Sequence, residues 1–591
     1  MKDRFSDAWG DLLDESSALH VPHAAFMITS FGRVEEIVPI TLNIDELRDA
    51  AEALKAMPLT QPSLADRLVD FGTLVQGMQM GNASIPDGGA DAGEAGVQAQ
   101  TMEDEELSRS LYTLGLLESF CDALAARSGR KALIWVSAGV KVFEAGPFHV
   151  LAGGASPLRL SKTDPRAEEG LTALQRAANS SNVSIYALDP TPLGQVHEIG
   201  ASAAVPPPAG GKGAQNQARP GPGPSGGLNS ESMWQALDGL RDGLRQTAEE
   251  TGGKAIIGAT DLGEAIRTFE QDNSRFYLVT YAPPPPAGDG EYHEIRVEVR
   301  RPGLQVRARH GYVEHPPDVR LDRMAAAALA LPGTVAGLPL QAKAFRVWGW
   351  GPRTTVVLAA EIDSNLVQVG VREDGEIGSS MRMHVRVLDG ERNVVARVDD
   401  NLSARSRDSI QSDGSSVGER TVRYRRGWVL DAGRYGIHLA LLDEIGGEVG
   451  ATRVEVEVPE EDEGWRTSDL MLLSGASGLA SYPIASDSFE SGQEVTAYVE
   501  VKNGIQPVIG GRILMVGGRA VDPLVGGIDE LLLPDTQMKK KRIDTHSGSI
   551  PLPTDLPPGR YILEIVVNDD PAEVERTLRI SFEVRLSVAA G

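Results

Sequence analysis

The chain has 591 residues, is 41% hydrophobic and carries 57 lysines and arginines against 83 aspartates and glutamates, a net charge of −26. That length suits three or four domains with cores of their own. The acidic balance argues against sequence-independent nucleic-acid binding, which needs cations to displace phosphate counterions, and against an anionic membrane surface as partner.

Residues 4–20 read as a helix with Phe5, Trp9, Leu12 and Leu13 roughly on one face. An apolar strand follows at Ala24–Ser30, and Gly32 turns it into a second at Val34–Ile40. Asn43 with Glu46 is a capping-box signal for a helix carrying Ile44, Leu47, Ala51 and Leu54. The stretch 77–100 is rich in Gly, Ala and Asp and poor in large apolar residues, so it reads as a loop, partly disordered. A long helix over about 104–127 places Leu107, Leu111, Leu114, Leu117, Cys121 and Leu124 on one face. Cys121 is the only cysteine, which excludes an intrachain disulfide and a thiolate metal cluster within one chain; its place on that face makes it a buried structural thiol rather than a nucleophile.

Lys131–Val136 and Val183–Leu188 are nearly uninterrupted apolar runs, the pattern of parallel strands covered on both faces, and a helix at about 165–179 joins them. Pro206–Leu228 is proline- and glycine-rich, and a mobile loop is predicted over about 203–228. Its formal G-x-G-x-x-G at Gly221, Gly223 and Gly226 has no strand before it and prolines inside it, so it signals no dinucleotide site. The helix from Glu231 presents Trp234, Leu237, Leu240 and Leu244 to a core and closes at Gln246–Glu250. Thr251-Gly252-Gly253 breaks it, Lys254–Gly258 is a short buried strand, and Thr260 or Asp261 caps a helix carrying Leu262, Ile266 and Phe269. The period then changes to two. Strands are predicted at Phe276–Tyr281, Tyr292–Val299 and Gln305–Val313, with turns at Pro283–Gly290 and Pro302-Gly303. The alternation up to Ile257 predicts a doubly wound, mostly parallel α/β sheet, to which these antiparallel strands are added.

Glu250-Thr251-Gly252-Gly253-Lys254, Asp261-Leu262, Asp272-Asn273, Tyr277–Tyr281 and Arg309-His310-Gly311-Tyr312 resemble the end of the VWFA-related Acidobacterial domain, a bacterial branch of the von Willebrand A-like fold. Gly129–Ile134 and Ser184–Pro190 fit the same pattern. The resemblance covers roughly the first half of the chain and rests on the ordered combination of pieces. It implies a von Willebrand A-like domain over 1–315 and a broad role in binding. Such domains usually hold a divalent metal through an Asp-x-Ser-x-Ser element after the first strand, a later threonine, and an aspartate after the fourth strand. The first element is absent here, Ala138 stands where the aspartate is expected, and Thr60, Thr73 and Thr101 cannot be assigned to the threonine role. The expectation is a degenerate site: no metal and no cofactor. In the resembled strand order 3-2-1-4-5-6, strand one lies between Ala24–Ser30 and Lys131–Val136, so the chain reads as truncated before it. On that reading the protein is extracytoplasmic or secreted, with its leader upstream. With Met1 as the true start it is cytoplasmic, since Met1–Gly10 carries Asp3, Arg4 and Asp7 where a leader would be apolar.

A linker helix is expected over 316–337; its apolar run Met324–Leu331 is too short to cross a membrane and ends at Pro332, and no other run is long enough. The remainder is strand and turn with an internal repeat. Leu430–Tyr435 is echoed by Leu556–Tyr561, Ile437, Leu439 and Leu441 match Leu563, Ile565 and Val567, and Asp443 matches Asp569. Two immunoglobulin- or fibronectin-like β-sandwiches are therefore predicted at 338–458 and 466–587, folding independently and joined through Val458–Arg466. Tyr435 and Tyr561 anchor a sandwich corner by packing and a hydroxyl bond. The basic run Lys539–Arg542 reads as a solvated loop.

Enzymatic motifs are lacking. His197-Glu198 and His293-Glu294 have no second histidine four residues on, and no G-x-S-x-G elbow or Walker A sequence is present. His310 ends a predicted strand and reads as structural. Asp189 falls at the carboxyl end of a parallel strand, where α/β proteins place ligands, and Ser137 follows the neighbouring strand; these are the candidate ligand-edge residues, although Asp189-Pro190 is also an ordinary turn start. The expected function is a non-enzymatic protein-binding, adhesion or scaffold role with an unidentified protein partner. One alternative is a hydrolase or other enzyme working near Ser137 and Asp189. Another is an intracellular regulatory partner.

Overall fold

Helices and sheets segregate along the chain, which folds as two units, Met1–Arg320 and Leu321–Gly591. The computed structural model describes residues 2–586 except 16–22, 29–33, 58–63, 82–89, 128, 154–156, 191–229, 278, 280–289, 305, 333–336, 349–352, 372–376, 406–408, 411–414, 419–420, 461–463, 475–481, 516–530 and 533–544. The predicted loop over 203–228, the basic run Lys539–Arg542 and residues 461–463 of the junction Val458–Arg466 lie outside the described residues.

In the first unit α1 (Lys2–Glu15) precedes a hairpin of β1 (His23–Ile28) and β2 (Val34–Thr41), then α2 (Ile44–Ala56), α3 (Leu64–Gly81) and α4 (Ala90–Leu124). There follow β3 (Lys131–Val136), α5 (Pro147–Leu151), α6 (Pro157–Ser161), α7 (Pro165–Ser180), β4 (Val183–Asp189), α8 (Ser230–Glu250), β5 (Ala255–Ile257), α9 (Leu262–Ser274), β6 (Tyr292–Glu294) and β7 (Gly311–Val313). β3, β4 and β5 form a parallel sheet in that order. Successive residues of a strand face opposite ways. Ile185 and Ala187 of the central β4 meet Leu117 and Cys121 of α4, Leu171 and Leu174 of α7 and Leu244 of α8. Tyr186 and Leu188 meet Leu12 of α1 and Leu262, Ile266 and Phe269 of α9. Helices on both faces account for the uninterrupted apolar run in β4. Cys121 is fully buried, and burial pushes its thiol pKa up, away from the reactive thiolate.

Three expectations are corrected. The described parts of the stretch 77–100 are helical rather than loop, since α3 runs to Gly81 and α4 begins at Ala90. Alanine is the strongest helix former, and Ala95 and Ala99 are buried in a cluster with Phe71, Val75 and Phe148. The sheet is not continuous: among the described residues β1 pairs with β2 alone, as a separate two-stranded sheet, while α1 packs on both through Leu12 on one side and Leu13 on the other. The added antiparallel strands are short. Phe276, Tyr277 and Val279 are not in a strand, and the β6–β7 ladder ends with the Ile295 N–H donating to His310 O at 2.7 Å. Beyond it the second arm is drawn elsewhere. His310 N donates to Glu250 O (3.2 Å), Arg309 bridges Thr251, and Arg307 pairs with Asp272.

After α10 (Pro317–Ala330), the second unit is almost wholly antiparallel. The first sandwich packs a sheet built on Thr355–Asp363 and Thr421–Val429 against one built on Ile377–Leu388 and Gly433–Asp443, around Val356, Leu358, Val385, Ile437 and Leu439. The second packs a sheet centred on Val495–Lys502 against one built on Gly559–Asp569 and Val574–Arg585, around Val499, Val501, Leu563 and Ile565. The sequence repeat has a physical basis. Tyr435 OH donates to Asp431 O (3.0 Å) and Tyr561 OH to Pro557 O (2.6 Å), each spanning four residues. Asp443 accepts from the backbone N–H of Ile445, Gly446 and Gln368, and Asp569 from Ile505 and Gln506.

The two sandwiches also share a buried junction. Phe345, Val347 and Ala359 pack against Met471 and Ala485. Around them the Arg346 guanidinium binds Asp469 (2.6 Å), Trp348 N donates to Glu500 (2.6 Å) and Ser486 N donates to Glu361 (2.9 Å). Glu361 and Glu500 are nearly inaccessible, so separating the sandwiches would strip partners from two buried carboxylates. A cut within 459–465 should therefore leave both halves co-eluting in size-exclusion chromatography. Asp469→Ala combined with Met471→Asp should make the cut halves elute apart.

Candidate functional site at the sheet edge

The carboxyl edge of the parallel sheet is where Ser137 and Asp189 were expected to meet a ligand. β3 leads into Ser137-Ala138-Gly139 and β4 ends on Asp189. Ser137 N donates to Leu188 O (3.0 Å), which sets the two candidates on neighbouring strands. Each then takes its own partner. The Ser137 hydroxyl donates to Gly139 O (3.1 Å) and accepts from Gly139 N (3.2 Å), closing a tight turn on itself. Asp189 is fully buried, and its Oδ2 lies 2.8 Å from Nε of Arg241, itself only 5% exposed. The carboxylate thus binds α8.

The same helix covers the turn after β3, while Arg4 of α1 donates to Pro190 O (2.7 Å) and Thr260 O (3.1 Å) beyond β4 and β5. Val140 N donates to Leu240 O at 2.8 Å. Gly139 sits at φ +135°, and a Cβ there would overlap the Leu240 carbonyl. Gly239 and Gly243 on α8 face Phe143 and Val140 so closely that no larger residue fits. Sequence reading missed Arg241, although a signal was there. It stands four residues after Leu237 and three before Leu244, a charge on the apolar face of an amphipathic helix, which calls for a buried partner.

A second buried charge cluster follows the same logic. Glu103 of α4 precedes Leu107 by four residues, on that helix's apolar face, and is 1% exposed. Its Oε2 lies 2.7 Å from the Lys141 ammonium, and its Oε1 accepts from the backbone N–H of Phe148 (3.0 Å) and His149 (3.3 Å) at the start of α5. Burial opposes ionisation, yet His149 and Lys141 hold the Glu103 carboxyl below its usual range.

His310 is likewise part of a joint. Its Nδ1 lies 2.9 Å from Glu250 Oε2, and the Arg309 guanidinium donates to Asn179 O at 2.9 Å. Thr251 Oγ1 accepts from Ile185 N (3.0 Å), and a Cβ on Gly253 would overlap the Ile185 carbonyl oxygen. Glu250–Gly253 and Arg309–Tyr312, which carry the resemblance stated above, thus meet on the back of β4. Among the described residues, no group of three or more His, Cys, Asp or Glu is placed to hold a metal ion. Among the same residues, no helix is long and apolar enough to cross a membrane.

No protein-family profile matches the sequence, and no curated protein matches it. Solved structures give faint likenesses. The fibronectin(III)-like modules of Clostridium thermocellum CbhA share 8% identity over 40% of this chain and 88% of theirs, at a TM-score of 0.12. A protein described as membrane anchored, from Corynebacterium diphtheriae, shares 11% over 43% of this chain and 60% of its own, at a TM-score of 0.13. Both scores are too low to carry an argument.

Removing one partner of a buried pair leaves the other charge desolvated and unmatched. Arg241→Met should therefore cost ~3–5 kcal/mol in urea unfolding. Adding Asp189→Leu should recover much of that loss, because the stranded carboxylate goes too. Separately, calorimetric titration with magnesium or manganese should show no saturable site tighter than millimolar, since Ala138 offers no ligand at the sheet edge.

Proposed function

We propose that the protein works through its surfaces as a protein-binding or adhesion scaffold: an α/β unit of the VWFA-related kind, with a degenerate metal site, carried with two immunoglobulin- or fibronectin-like sandwiches. One observation carries this reading. The edge where an α/β enzyme would gather its catalytic groups is packed by α8, with Asp189 matched by buried Arg241 and the Ser137 hydroxyl bound within its own turn. A nucleophile needs a base within hydrogen-bond reach, and a ligand needs room. Asp189 meets an arginine there, and Gly139 admits not even a methyl group. The degenerate metal motif supports the same view, because Ala138 supplies neither a ligand nor a charge. The protein partner is unidentified. The sandwiches, whose corners and acidic turns are tied by Tyr435, Tyr561, Asp443 and Asp569, suit a role as stiff spacers or adhesive modules.

The test is a broad hydrolase screen (ester, phosphoester, peptide and glycoside substrates) on the purified chain, run beside Ser137→Ala and Asp189→Ala. No turnover above a denatured control is expected. Turnover abolished by Ser137→Ala at an unchanged melting temperature would replace the scaffold reading with an enzymatic one.

A further inference from the structure

The segment that leaves the β6–β7 ladder has an unusual sequence: Glu294-Ile295-Arg296-Val297-Glu298-Val299-Arg300. From Arg296 to Arg300 it makes no backbone hydrogen bond and no ion pair among the described residues. Val297 and Val299 are 47% and 48% exposed, and all four charged residues lie in solvent. The structure assigns it no strand, yet a segment of this alternating pattern with open N–H and C=O groups is a template for pairing.

We propose that it pairs with the same segment of a second copy of this chain, antiparallel, about a two-fold axis through Val297. In that register Glu294 faces Arg300 of the copy, and Arg296 faces Glu298. On the other face Ile295 meets Val299 and Val297 meets Val297. Every charge meets its opposite and every apolar residue another. No other register does this. Centring on Arg296 sets Arg296 against itself and Glu294 against Glu298. Centring on Glu298 sets Arg296 against Arg300. A one-residue slip places charges over valines, and parallel in-register pairing puts like on like. Directly opposed like charges destabilise a strand pair and opposite ones stabilise it, so the sequence selects one partner and one alignment. Pro302, which has no N–H to donate, ends the ladder. A ribbon this short buries less than the ~1,200 Å² of a stable specific interface, so the dimer is weak and concentration-dependent.

Sedimentation of the full-length chain from low to high micromolar concentration tests this. The wild type should shift from monomer towards dimer. Arg296→Glu alone, or Glu298→Arg alone, makes two like-charge contacts across the two-fold and should weaken association about tenfold. An equimolar mixture of those two variants should associate again, because each reversed residue then meets its opposite. The double variant Arg296→Glu/Glu298→Arg should self-associate like the wild type. Both positions are exposed, so melting temperatures should not move. A wild type that stays monomeric throughout would overturn the proposal. So would a dimer indifferent to either single reversal, or a mixture no tighter than its components.

Discussion

The first unit depends on charges that have left water. Arg241 and Asp189 are each 5% exposed or less, as are Glu103 and Lys141. Desolvating an ion costs several kcal/mol, and the cost is offset only when the partner sits at bonding distance with its remaining groups matched. An apolar helix face tolerates small slides and rotations; a buried ion pair does not. If α8 turned so that Arg241 missed Asp189, two charges would be stranded in the core. The pair therefore fixes the rotation of α8 over the sheet edge. Glu103, holding the first N–H groups of α5 and the Lys141 ammonium, does the same for the segment between β3 and α7.

Close backbone approach completes what the charges begin. Gly139 lets the turn after β3 lie against the Leu240 carbonyl, and Gly253 lets the start of β5 lie against that of Ile185. A β-carbon at either place would push apart the elements the ion pairs hold together. This gives the Glu250–Gly253 and Arg309–Tyr312 pieces a physical meaning. They mark where α8, β4, β5 and the arm before β7 meet within van der Waals distance.

Much of this architecture was legible in the residues, for reasons that also explain the failures. β4 stood out because both its faces are buried, so apolar residues run without a break; β3 carries the same pattern but was not covered as expected, since Ala132 and Ile134 on one face are exposed. The sandwich repeat stood out because a period of two, a tyrosine tied four residues back and an aspartate gathering turn N–H groups are all local features. Ala90–Gln100 was misread because composition counts alanine as small rather than as helix-forming and closely packing. Arg241 and Glu103 were missed because pattern reading follows the apolar residues of a face and passes over a single charge among them. At the site, sequence located Ser137 and Asp189 on the right edge but not what covers that edge. The cover is a helix more than forty residues further along the chain than Asp189.

The shortened antiparallel strands show how such long-range contacts override local pattern. Tyr292–Val299 and Gln305–Val313 alternate well enough to make a long hairpin, and the register Tyr292 to Val313 through Glu294 to Gly311 begins one. The arm from Arg307 to His310 has a second set of partners in Asp272 of α9, Glu250 at the end of α8 and Thr251 just after it. One backbone cannot satisfy both sets. The joint takes the arm, with the Arg307–Asp272 ion pair, the His310–Glu250 contact and a backbone bond, and the ladder stops at Ile295. What remains is an exposed segment with its pattern intact and, from Arg296 to Arg300, no backbone hydrogen bond among the described residues.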